Sequence, residues 1–255
     1  MATLESWLDH ERERFADRTD DLARSELDDV GSSRATTAAI GEKVAAGLVG
    51  IRGDADGARQ QFDVASSLHA GAADAGENAL DERYFALRAA TLAGAKQAIP
   101  GLAAQLARTV DQTTPVDRDG RGSLDSDYYR ALAAGADGDA ETMTDATARL
   151  ATETTRLGTN GFFETTGHEE QRLYGGRVEF LEGIISGSPA AIARGIEGVL
   201  AHHDGSVTGA RTELPCREAT FLAIVATAAG LADELPETDD IMTPLVDATA
   251  LPDGL

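Results

Sequence analysis

The chain has 255 residues, of which 44 are acidic and 22 basic, for a net charge of −22, and aromatic residues make up only 5%. That length suffices for a sizeable core, which must be assembled mainly from Ala, Leu, Val and Ile. No basic stripe exists to neutralise phosphates, which argues against direct nucleic-acid binding, and a single cysteine, Cys216, excludes an intramolecular disulfide or a zinc site of paired cysteines.

The acidity is spread between apolar residues along the whole length, whereas a disordered acidic tail would gather it in runs. Lys43 and Lys96 are the only lysines. This pattern reads as a folded protein with an acidic, lysine-poor surface, of the halophilic kind suited to a salt-rich cytoplasm. At molar salt the Debye length falls to about 3 Å, so self-repulsion is largely screened. The functional alternative is a mimic of nucleic acid or a partner for a basic protein.

The first segment, Thr3 to about Asp28, is highly charged, with Trp7, Phe15 and Leu22 on one helical face. It predicts an N-terminal helix over 3–28, ended by Gly31-Ser32-Ser33. From residue 34 to 250 a two-helix unit repeats. Gly53-Asp54-Ala55, Ile99-Pro100, Gly138-Asp139-Ala140, Gly187-Ser188-Pro189 and Pro236-Glu237-Thr238-Asp239 each read as a break followed by a helix start. Asp54, Asp139, Ser188 and Thr238 are N-cap types, and Pro100 and Pro189 suit a first helical position. Second helices are therefore expected to begin at residues 55, 100, 140, 189 and 239.

Apolar stripes at helical spacing support this: Leu80, Tyr84 and Leu87; Leu102, Leu106 and Val110; Met143, Ala146 and Leu150; Tyr174, Val178, Leu181 and Ile185; Ile192, Ile196, Val199 and Leu200. No segment alternates with a period of two, so no sheet is expected. Each hairpin exposes an apolar face that only stacking buries. The fold expected is all-α, an irregular α-solenoid or helical array of about five hairpins plus the N-terminal helix, in a single domain over 1–255. Loops are expected at Asp111 to Ser123 and Leu157 to Gly167. The residues Met1 to Trp7 lack a secretory apolar stretch, and the longest apolar run, Phe221 to Ala232, is too short to span a bilayer. The expected location is cytoplasmic.

Candidate sites are few. The stretch from Asp117 to Tyr128 fits an EF-hand loop at positions one, three, six and nine (Asp117, Asp119, Gly122 and Asp125) but places Arg121 at five and Tyr128 at twelve, where oxygen ligands are needed. Asp117, Asp119 and Asp125 are weak metal candidates beside the plainer reading of an acidic surface loop. His202-His203-Asp204 ends a helix, and adjacent residues there point about 100° apart, which suits the helix dipole better than a shared metal. His168-Glu169-Glu170 does not make His-Glu-x-x-His. Gly175-Gly176 sits in a helical pattern and suits close packing or a kink rather than a phosphate. Cys216 follows Pro215 at a helix start, where a thiol is either activated or, the favoured reading, a small buried apolar group. Phe162-Phe163 either anchors a partner or plugs a groove between hairpins. Tyr128-Tyr129 reads similarly, with one ring inward and the other at the rim. No catalytic constellation and no cofactor motif is recognised.

Three stretches carry a resemblance. One is Tyr128-Tyr129-Arg130-Ala131-Leu132-Ala133-Ala134-Gly135-Ala136-Asp137-Gly138-Asp139. The second runs from Arg177-Val178-Glu179-Phe180-Leu181-Glu182-Gly183 through Gly187-Ser188-Pro189 to Leu200-Ala201-His202-His203. The third joins Ala219-Thr220-Phe221-Leu222-Ala223 to Asp240-Ile241-Met242-Thr243-Pro244-Leu245-Val246. In that order, over roughly the last half of the chain, they resemble the all-helical immunity protein 49 family of polymorphic toxin systems. The resemblance implies a non-enzymatic protein that binds and neutralises a cognate toxin in the producing cell. Two alternatives stand beside it. A tetratricopeptide-like scaffold for protein–protein interaction would hold peptides in a concave groove. A helical small-ligand binder or enzyme would need a pocket with convergent polar groups.

Overall fold

The computed structural model describes residues 3–24, 29–76, 78–112, 121–157, 164–206, 214–247 and 251. Those residues form ten α-helices and no strand: α1 (Leu4–Ala23), α2 (Val30–Arg52), α3 (Ala55–Asp74), α4 (Ala79–Ala93), α5 (Ile99–Gln112), α6 (Arg121–Ala136), α7 (Ala140–Leu157), α8 (Glu164–Ser186), α9 (Pro189–Ser206) and α10 (Arg217–Ala228), followed by a 3₁₀ turn at Thr243–Leu245. No described helix is long and apolar enough to cross a membrane.

The helix boundaries follow a compact turn chemistry. Gly53 and Gly138 adopt left-handed φ of 65° and 72°, which costs a residue without Cβ nothing. Each lets the next amide reach back to close the preceding helix, Asp54 N to Leu48 O and Asp139 N to Ala134 O, both at 2.9 Å. The same residue then caps the next helix. Asp54 accepts from Gly57 N at 2.9 Å and Asp139 from Thr142 N at 3.0 Å. Gly187-Ser188 repeats the device, with Ser188 Oγ accepting from Ala191 N. Two residues thus end one helix and begin its neighbour, which forces antiparallel hairpins.

Consecutive helices pack side by side from α1 to α9, as an array of hairpins requires. The layers differ in burial. Outer α1 buries only Leu8 and Glu11, with Trp7, Phe15 and Leu22 half-buried on the same stripe. Inner α2 buries most of its middle, including Ile40, Glu42, Val44 and Leu48. The inner layer is α2, α4, α6 and α8, and all four send side chains toward the start of α10. One continuous cluster of buried side chains, rich in alanine, runs from Leu8 to Leu251.

Alanine and glycine let the helices approach closely. Where α8 crosses α9, a Cβ on Gly176 would lie 2.6 Å from Gly195 O, and one on Gly195 would lie 2.5 Å from Phe180 N. Gly175, one residue away, faces open space.

Four expectations are corrected. Gly31-Ser32-Ser33 is not a break. It forms the first turn of α2, because Asp29 accepts from Ser32 N at 3.1 Å and starts the helix two residues earlier. No helix starts at residue 239. Thr238 closes a local turn on Asp240, and Pro244 would remove a helical amide and clash one turn back, so only the 3₁₀ turn forms. Ile185, expected on the buried stripe of α8, is 42% exposed, since α8 ends at Ser186 beyond the packed layer. Residues 164–167, read as loop, already belong to α8.

Candidate functional site

Side chains from three inner helices, α4, α6 and α8, converge on one carboxylate of α10. Glu218 lies in the first turn of α10, where a negative charge complements the helix dipole. Cys216 caps that helix, its Sγ accepting from Ala219 N. Glu218 accepts from Tyr84 Oη of α4 and, at 3.0 Å, from Tyr128 Oη of α6. Arg177 of α8 donates to it at 3.0 Å and Arg88 of α4 at 3.3 Å. Burial alone would raise the carboxyl's pKa. The charges of Arg177 and Arg88, with the hydroxyl bonds of Tyr84 and Tyr128, outweigh burial and hold it at about 2.

Each guanidinium has a second anion. Arg88 reaches Glu42 of α2 at 2.8 Å, and Glu42 is also bonded by Arg217. Burial of Glu42 is again outweighed, chiefly by Arg88 and Arg217, so its carboxyl titrates below the ordinary range. Arg177 donates to Asp125 at 3.1 Å, which also accepts from Tyr174 Oη at 2.9 Å. Arg177 stacks 4.1 Å over the Tyr128 ring, and Arg88 lies 4.9 Å from the Phe85 ring centroid. Beside this chain His69 of α3, 2% exposed, donates from Nδ1 to Glu82 at 2.6 Å, with Nε2 3.7 Å from Glu42.

The chemistry is that of a lock. Burial, with Glu218 adding to it, pushes the Tyr84 and Tyr128 phenols well above 10, so they stay neutral donors. Arg88 and Arg177 remain charged and Glu218 remains ionised. The cluster ties α2, α4, α6, α8 and α10 into one unit. Buried charge pairs of this sort are costly to break, because removing one partner leaves the other uncompensated.

Immediately beyond the lock along α10 lies an apolar slot of about 90 Å³. Leu87, Ile99, Leu132, Met143, Phe180 and Phe221 line it. Phe221 bridges slot and lock, packing edge-on against Tyr84 at 6.2 Å. The one hydroxyl in the lining, on Thr91, is turned to Leu87 O at 3.0 Å.

The structure places the expected site residues differently from the sequence reading. Tyr128 and Tyr129 are 0% and 3% exposed, so neither is at a rim and neither offers a partner contact. Both face inward because α6 is an inner helix. Tyr129 stacks on Tyr84 at 4.4 Å and donates to Asp81. Asp125 is engaged by a cation, Arg177, and by Tyr174, which is the opposite of a vacant metal ligand. Asp117, Asp119, Phe162 and Phe163 lie outside the described residues. Among the described residues no three His, Cys, Asp or Glu side chains gather as a metal site would need. Cys216 is 4% exposed, and burial pushes its thiol up to about 11, against the lowered value an activated thiol requires. His203 Nε2 lies 3.0 Å from Leu214 O, a contact that ties the end of α9 to the approach of α10.

The lock itself escaped the sequence reading. Its signal was present as arginines spaced one turn from tyrosines on apolar faces, Tyr84 with Arg88 and Tyr174 with Arg177, and as Glu218 directly ahead of the apolar run of α10. Compared with family models, with curated proteins and with solved structures, the chain matches none.

Proposed function

We propose that this chain is a non-catalytic immunity protein that binds a basic toxin in the cytoplasm of the producing cell and neutralises it. The observation that carries this reading is how charge is distributed. Arg88 and Arg177 are consumed inside the lock. Outside it, Arg52, Arg83 and Arg149 are tied to Glu5 and Asp9, to Asp74 and to Asp127. These pairs match charge against charge and few charges are buried, so the excess of 22 acidic charges lies mostly at the surface. Such a surface steers a basic protein inward and disfavours acidic ones. Nucleic acid is repelled by the same field, so the binding partner is a protein. The resemblance of the C-terminal half to the immunity protein 49 family points the same way.

A rigid interior suits this task, because a preorganised surface loses little entropy on association. The tetratricopeptide-like alternative needs an open inner groove, and α10 sits on that face.

The test is growth protection. The protein encoded beside this chain is expressed under tight control in a sensitive host, with and without the chain. Rescue of growth, with a complex that weakens as salt is raised, is the expected result. Unchanged killing in the presence of folded chain contradicts the proposal.

A further inference from the structure

The inner helices all run in the same direction, so their C-terminal ends meet at one end of the array. The lining of the slot records this. It takes residues from the last turns of α4, α6, α8 and α10, together with the first turns of α5 and α7. The mouth is formed by Ala136, Ile184 and Ala229, all half-buried or exposed, with Leu251 against the same wall. Four helix C-termini there outnumber the three N-termini of α5, α7 and α9, leaving a net negative dipole at the opening.

The connections around the mouth add fixed charge of the same sign. Asp137 and Asp139 follow Ala136, and Asp233 and Glu234 follow Ala229, all of them exposed. The connection from α4 to α5 contributes one cation, Lys96. An apolar slot inside an anionic rim is selective on two counts. The interior accepts only a hydrocarbon group, since its one hydroxyl is already satisfied and a polar atom would be left unpaired. The rim favours a cationic surround. The volume of about 90 Å³ is smaller than the roughly 150 Å³ apolar cavity known to take benzene, so it suits one aliphatic side chain rather than a ring system.

We infer that this slot is the anchor site for the protein partner: it takes one aliphatic side chain, of the leucine class, presented between lysines or arginines. The inference rests on the neutralisation reading and gives it a contact surface. Interfaces concentrate their binding energy in such buried anchors, with a polar rim excluding water around them.

The experiment uses the full chain with methyl-labelled methionine. The chain has three methionines. Met143 lines the slot, and Met242 is buried where its amide meets Thr220, so one methyl reports occupancy and the other reports the fold. The probe is a pentapeptide of one leucine between two pairs of lysines, and its control carries alanine in place of leucine. The leucine peptide is expected to shift the Met143 methyl saturably and leave Met242 in place, binding about tenfold more tightly than the alanine peptide. Ala229→Trp, which blocks the mouth from an exposed position, should abolish the Met143 response with Met242 unchanged. Ala136→Leu should do the same from the opposite wall.

Equal shifts from both peptides, or none, would overturn the inference. So would a slot that takes cyclohexane but not the leucine peptide, which would make it a site for a small apolar molecule. The two readings fail separately. If a toxin co-purifies equally with the wild type and Ala229→Trp, the slot is not the anchor while neutralisation stands. If the peptide enters the slot but the chain gives no protection, the slot stands and neutralisation falls.

Discussion

Glu218 takes bonds from four donors on three helices, which makes it the residue whose loss should matter most. Glu218→Gln keeps the shape but leaves Arg88 and Arg177 under-compensated in the interior. Breaking a buried pair in this way costs about 3 kcal/mol or more. Urea unfolding should show a lower midpoint at unchanged slope, and an unchanged midpoint would show the lock to be energetically idle. The pH dependence has a definite sign. The folded pKa of about 2 lies below the ordinary 4.5, so as pH falls the unfolded chain takes up this proton first. The stability from Glu218 is fully present above about pH 4.5 and drains between there and about pH 2. The variant should lose less stability than the wild type across that window. Cys216 makes a second prediction at this scale. With its thiol raised to about 11 by burial, it should resist iodoacetamide at pH 8 in the native protein and react promptly in urea. Prompt native labelling would contradict its place in the core.

At the scale of elements, the crossing of α8 and α9 depends on missing side chains. Gly195→Ala drives a methyl into the Phe180 backbone and should cost about 1–3 kcal/mol, as overpacking does. Gly175→Ala meets nothing within 4 Å and should be neutral or stabilising by up to about 1 kcal/mol, since alanine is the better helix former. Thermal unfolding of the pair separates a packed crossing from a merely flexible one, and equal effects would argue against the close approach. The elements were largely legible in the sequence. Helix starts at 55, 140 and 189 coincide with those expected, because Gly-Asp and Gly-Ser couple a left-handed end to a side-chain cap within two residues. Pro100 falls one residue after the start at Ile99. The expected start at 239 failed because cap residues alone do not make a helix when a proline follows within its second turn. Gly31-Ser32-Ser33 misled because small polar residues also fill first turns, and Asp29 was the true cap. The lock was less legible. Helical periodicity marks which face is buried, but it does not say that a charge on that face will meet its counter-charge from 130 residues away, as Arg88 meets Glu218. The sequence puts only one ring of Tyr128 and Tyr129 inward and the other at the rim, because it does not distinguish an inner helix, covered on both flanks, from an outer one.

For the whole molecule, charge links stability to function. The surface carries most of a net charge of −22, and self-repulsion should weaken the fold when it is unscreened. Raising potassium chloride from low to molar concentration should raise Tm, whereas a flat or falling Tm would mean that the exterior charges are too dispersed to matter. The buried pairs of the lock should respond little over the same range, because salt screens exposed charges far more than buried ones. Salt should therefore separate the two kinds of charge in this chain, an interior that fixes the fold and an exterior proposed to meet a partner. The central claim is that this exterior binds a basic toxin. It is tested most directly by purifying the tagged chain from its native host at native salt and identifying what accompanies it by mass spectrometry. The expected result is a stoichiometric, basic protein encoded next to the chain and released by Ala229→Trp. Recovery of the chain alone, or with a small molecule in the slot, would contradict it.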